Sequence, residues 1–143
     1  MIRSTSAVSV AFAVSLASVP ALAQRALPAT FDAVTVDNIA GLLATATAIQ
    51  QLASAKGSPW MARVVFDLSE SAQYYTTALQ SLDRVGYVMA EILDSSSEKN
   101  VTVAQSNARV DEYLNTLGAS VDLWEVGNEV NGSWTGNQYF FIA

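Results

Sequence analysis

Apolar and polar positions change period along this chain in a regular way, from the near-alternation of a strand to the three-and-four spacing of a helix and back. Residues 31–38, FDAVTVDN, are rich in β-branched side chains and close on Asp37-Asn38, which predicts a first strand. From Ile39 to about Lys56, Leu42, Leu43, Ala46, Ile49, Leu52 and Ala53 form an apolar stripe at helical spacing, stopped by Gly57 with Pro59. Residues 62–69, ARVVFDLS, are a short apolar run opening into polar residues and predict a second strand. From Ser71 to Arg84 a second amphipathic helix carries Tyr75, Ala78, Leu79 and Leu82 on one face. Residues 85–96, VGYVMAEILDSS, are almost continuously apolar, the pattern of a strand covered on both faces. Thr102 with Gln105 makes a capping box for a helix that directs Val103, Val110, Leu114 and Leu117 inward, and Gly118 falls just past its end. A fourth strand follows in residues 121–130, VDLWEVGNEV.

Strands recur every 30 residues or so, roughly the period of right-handed βα units in a parallel sheet, and nothing divides off a second domain. Periodicity alone does not separate an open doubly wound sheet from part of a (β/α)8 barrel, since both repeat the same unit. In either, ligands bind beyond the C-terminal ends of the strands. Those ends carry Asp37, Asn38, Asp67, Ser69, Glu70, Glu91, Asp94, Asn128 and Glu129.

Composition narrows the chemistry. The 143 residues include no Cys and no His, which excludes disulfides, Cys/His and Ser/His triads and the commonest zinc and copper sites. Carboxylates are left to carry any acid–base work. Seven basic against thirteen acidic residues, for a net charge of −6, give no footprint for nucleic acid or an anionic membrane. No Gly-rich phosphate loop follows any strand, and no cofactor or metal is expected. The opening MIRSTSAVSVAFAVSLASVPALAQ has the charged, apolar and small-residue regions of a secretory signal. Residues 1–23 are therefore read as a signal peptide and 24–143 as the domain of a secreted protein, extracellular, or periplasmic in a bacterial host.

Trp124-Glu125-Val126-Gly127-Asn128-Glu129, at the end of a fourth strand, resembles the signature of the large clan of retaining glycoside hydrolases built on (β/α)8 barrels. The resemblance implies a carbohydrate substrate, with Glu129 as general acid/base and Asn128 as the neighbour that hydrogen-bonds the sugar 2-hydroxyl. It also implies substrate contacts from Asp94 and Glu91 at the end of the third strand. In the loop behind, Asn131 is a further substrate contact, and Trp134 offers a flat face for a sugar ring or simply packs the loop. Trp124 alternates away from Glu129 and is expected to face the helices. Glu125 shares the side of Glu129 one layer deeper; a buried carboxylate there needs a partner, and Arg63 is the candidate. Glu98 and Glu112 read as loop and helix-surface charges.

Retention needs a second carboxylate about 5 Å from the first, which the resembled family takes from the seventh strand. A whole barrel takes roughly 250 residues, so the resemblance, covering Phe31 to Gly136, implies a partial (β/α)8 TIM barrel of about four βα units, truncated after strand 4. A barrel cut there is expected to self-associate through open sheet edges. The implied parent activity is hydrolysis of glycosidic bonds in a polysaccharide or glycoconjugate, with this chain expected to be inactive alone. The alternative is a non-catalytic secreted module that binds carbohydrate or another partner through the same loop.

Overall fold

The structure, a computed structural model, describes residues 25–125 and 127–129. The expected signal peptide, Asn131 and Trp134 lie outside them. Four strands and their helices follow in order: β1 (Asp32–Val36), α1 (Ile39–Lys56), β2 (Trp60–Val65), α2 (Ala72–Asp83), β3 (Tyr87–Glu91), α3 (Ser95–Glu98), α4 (Val103–Leu117), a 3-10 turn (Gly118–Ser120) and β4 (Leu123–Glu125). All neighbouring strands are parallel, and their spatial order is their chain order, β1-β2-β3-β4. This is an alternating β-α-β topology with four parallel strands.

The sheet has two unlike faces because successive side chains alternate. Val36, Ala62, Val64, Phe66, Val88 and Ala90 turn toward the helices and meet Leu42, Ile49, Tyr75, Leu79, Leu82, Tyr113 and Leu117 in one buried core. α1 packs on α2 and α2 on α4, so the helices form a single layer on that face. The other face carries Arg63, Glu91 and Glu125, with Thr35 opposite Arg63, Val65 opposite Glu91 and Glu91 opposite Glu125. Trp124 packs against the core on the helix side, as alternation requires.

Local chemistry explains most of the boundaries. Asn38 caps α1 by accepting from Gly41 N at 2.8 Å, and Gly57 ends it in left-handed backbone at φ 67°. The Thr102–Gln105 capping box forms in full at the start of α4. Two expectations are corrected. Leu43 and Leu52 are 55% and 38% exposed, because α1 lies at the edge of the helix layer with α2 beside it, and its apolar stripe is wider than that contact. Leu114 is 39% exposed, and Tyr113 takes the inward position by packing its ring against Phe66 and Tyr75. Gly118 falls just past the end of α4, as expected, in right-handed backbone at φ −55° that leads into the 3-10 turn.

The strands are also shorter than their apolar runs. β3 stops at Glu91, although Ile92 and Leu93 remain buried beyond it. Asp94 then caps the unexpected short helix α3, accepting from Ser96 N at 2.9 Å. β4 stops at Glu125, ahead of Gly127 at φ 82°, so Asn128 and Glu129 lie just past the strand.

At the opposite edge of the sheet, Arg25 holds the segment before β1 beneath β3 and β4. Its guanidinium donates to both carboxylate oxygens of the buried Asp122 at 2.8 and 2.6 Å and to Gly86 O at 2.9 Å, and it stacks 4.7 Å above the Tyr87 ring. Asp122 also accepts from Val88 N at 2.9 Å.

Candidate functional site

β2, β3 and β4 each contribute one charged side chain to the face away from the helices. Arg63 of β2 donates through Nε to Glu125 Oε2 of β4 at 2.7 Å and through a terminal nitrogen to Glu91 Oε2 of β3 at 2.5 Å. The Arg63–Glu125 pair is the one the sequence suggested. The same guanidinium also bridges to Glu91, because the register sets Glu91 beside Glu125. Glu91 is 0% exposed, and its other oxygen, Oε1, has no hydrogen-bond partner. Burial pushes its carboxyl up to about 7; Arg63 opposes this, while Glu125, Asp94 and Glu129 add to it.

Beyond the strand ends, Glu129 is exposed and adopts left-handed backbone at φ 51°. For a residue with a Cβ this conformation is uncommon and costs roughly 1 kcal/mol. Its Oε2 accepts from the hydroxyl of Ser95, a buried residue at the start of α3, at 3.1 Å. Asn128 is half-buried. Asp94 keeps its Oδ1 on the amide and hydroxyl of Ser96.

The loops at this edge rest on a scaffold that sequence reasoning did not find. Arg109 of α4 donates to Ile92 O at 2.8 Å, Asp67 O at 2.8 Å and Glu70 O at 3.1 Å, and its guanidinium lies 4.3 Å above the Tyr113 ring. Tyr113 donates its hydroxyl to Glu70 O, and Tyr75 accepts from Asp67 N, both at 2.9 Å. Burial raises both phenols above their ordinary value. Asp67 is held below the usual carboxylate range by the Ser69 amide and hydroxyl. Glu112 is more than a surface charge, since it caps α2 by accepting from Ala72 N at 2.7 Å. Glu98 is buried. A hint of the scaffold was legible, since Arg109 and Tyr113 are four apart on one helix, but their partners are backbone carbonyls, which leave no mark in the sequence.

Fold and site together define a parallel α/β unit with a carboxylate-rich face at the C-terminal ends of its strands. No family model, no curated protein and no solved structure matches the chain. Among the described residues no group of three or more Asp, Glu, His or Cys is arranged to hold a metal ion, and no helix is long and apolar enough to cross a membrane. The arrangement can accept hydrogen bonds from a polar ligand, and Glu91 can exchange a proton near neutrality.

Proposed function

We propose that this strand-end face is a carbohydrate site, and that the chain represents the first four βα units of a glycoside-hydrolase-like (β/α)8 barrel. The strand order supports the barrel over a doubly wound sheet, whose order reverses at a switch point and whose helices cover both faces. Here the order runs straight through with helices on one face. The observation that carries the site is Glu129, held in left-handed backbone just past β4 and bonded to the Ser95 hydroxyl at the same edge as Glu91, Glu125 and Asp94. Uncommon backbone of this kind clusters at active and binding sites.

In this reading Glu129 is the general acid/base, and Asn128, Asp94 and Glu91 contact sugar. Asn131 and Trp134 extend the contacts in the loop beyond the described residues. A hydroxyl partner suits an acid/base because Ser95 donates to the carboxylate and accepts from the protonated acid. The second carboxylate required for retention belongs, in the resembled family, to a strand beyond these four.

One observation favours the non-catalytic reading. Glu129 is exposed, whereas a general acid gains from desolvation. A panel of aryl glycosides and natural oligosaccharides separates the two. Catalysis by these four units alone, against which the missing second carboxylate argues, predicts turnover that Glu129→Gln lowers by about 10²-fold or more. Binding that survives Glu129→Gln, with no turnover by the parent chain, identifies a binding module instead. Absence of both turnover and binding contradicts the carbohydrate reading.

A further inference from the structure

We infer that the strand-end face selects a ligand that donates hydrogen bonds and carries no negative charge, a neutral or amino-bearing sugar rather than a uronate, a sulfated sugar or a phosphate. This rests on the carbohydrate reading and assigns its substrate class.

The first observation is the orphaned acceptor. Glu91 has Oε2 on Arg63 and nothing on Oε1, although the residue is fully buried on the face away from the helices. A buried acceptor without a donor costs free energy, and a hydroxyl, an ammonium or a proton relieves that cost, whereas an anion deepens it. The second is the balance of charge around it. Glu125 lies directly across from Glu91 in the register, and Asp94 and Glu129 bear on it electrostatically. Against these four carboxylates, Arg63 is the one cation on this face among the described residues, and two of them already occupy it.

Several of the usual means of holding an anion at this edge are already engaged. Helix N-termini bind anions through free amides, but here Asn38 takes Gly41 N, Glu112 takes Ala72 N and Thr102 takes Gln105 N. Arg109 reaches the same edge with its guanidinium committed to backbone carbonyls. Lys99 is exposed at the end of α3. Arg25, Lys56 and Arg84 belong to the opposite edge, at Asp122 and at the ends of α1 and α2.

The test titrates the full chain with three pools of size-matched oligosaccharides at low salt: neutral gluco-, manno-, xylo- and galacto-configured sugars, glucosamine oligomers, and galacturonate oligomers. The expected result is binding of the neutral or amino pool at least about tenfold more tightly than the uronate pool. Glu125→Gln narrows that ratio, whereas Asp111→Asn, an equal change of net charge on the exposed surface of α4, leaves it unchanged. Uronate binding as tight as neutral binding overturns the inference and leaves the carbohydrate reading standing. Equal narrowing by both variants overturns it too, because the selectivity then belongs to the overall charge of −6. No binding by any pool overturns the carbohydrate reading and this inference together.

Discussion

Glu91 has the sharpest physical consequence of any single residue here. Its carboxyl, ordinarily at 4.5, is pushed up to about 7 by burial, against the pull of Arg63. Below about 4.5 folded and unfolded chains both carry the proton. Between about 4.5 and about 7 the folded chain keeps a proton that the unfolded chain has lost, so stability falls as pH rises through that window. The total is of order 3 kcal/mol, and Glu91→Gln should flatten the slope in urea unfolding measured across the window. A slope equally steep in the Gln variant would assign it to another group. Arg63→Met leaves Glu91 and Glu125 facing each other without their cation, and the expected loss is about 2–4 kcal/mol at neutral pH. A loss below about 0.5 kcal/mol would show that the bridge contributes nothing to folding.

Elements hold together through caps and close approaches. Thr102→Ala removes the side-chain half of the capping box, the bond that its hydroxyl accepts from Gln105 N, and should cost about 1 kcal/mol in thermal or denaturant unfolding. Gly86→Ala should cost more, roughly 1–3 kcal/mol, because the added Cβ stands 2.8 Å from Trp60 O and the start of β3 must shift away from β2. If the Ala variant at 86 proves neutral, the two strands are not packed as closely as described. The same scale shows what was legible in advance. α1 was readable to its bounds because the Asp37-Asn38 break, an apolar stripe and a Gly stop agreed, and the α4 capping box because its two residues sit at fixed spacing. Strand ends were not, since Ile92 and Leu93 continue the apolar run while the hydrogen-bonded ladder has stopped. Leu114 and Tyr113 exchanged places for a related reason. Helical spacing identifies a stripe, but the ring pocket formed by Phe66 and Tyr75 chooses its centre. In the site, Arg63–Glu125 followed from parity and sign, whereas the Ser95–Glu129 bond depends on α3, which the Ser-rich stretch did not announce.

At the scale of the molecule, carboxylates are concentrated toward one end of the strands. Glu91, Asp94, Glu125 and Glu129 gather near the C-terminal edge, and Arg25, Lys56 and Arg84 near the other. The Arg25 edge is structural: Arg25 joins the segment before β1 to Asp122. Asp122→Asn should loosen the arm and cost roughly 1–3 kcal/mol, seen as faster proteolysis near residue 25. The acidic edge is the proposed site, and the most direct test is to map amide and carboxyl NMR shifts while a neutral oligosaccharide is added to the full chain. The account predicts changes concentrated at Glu91, Ser95, Glu125, Asn128 and Glu129, with the Arg25–Asp122 edge and the helix layer silent. Changes centred on the helices or the Arg25–Asp122 edge, or no saturable change with any neutral sugar, would contradict it.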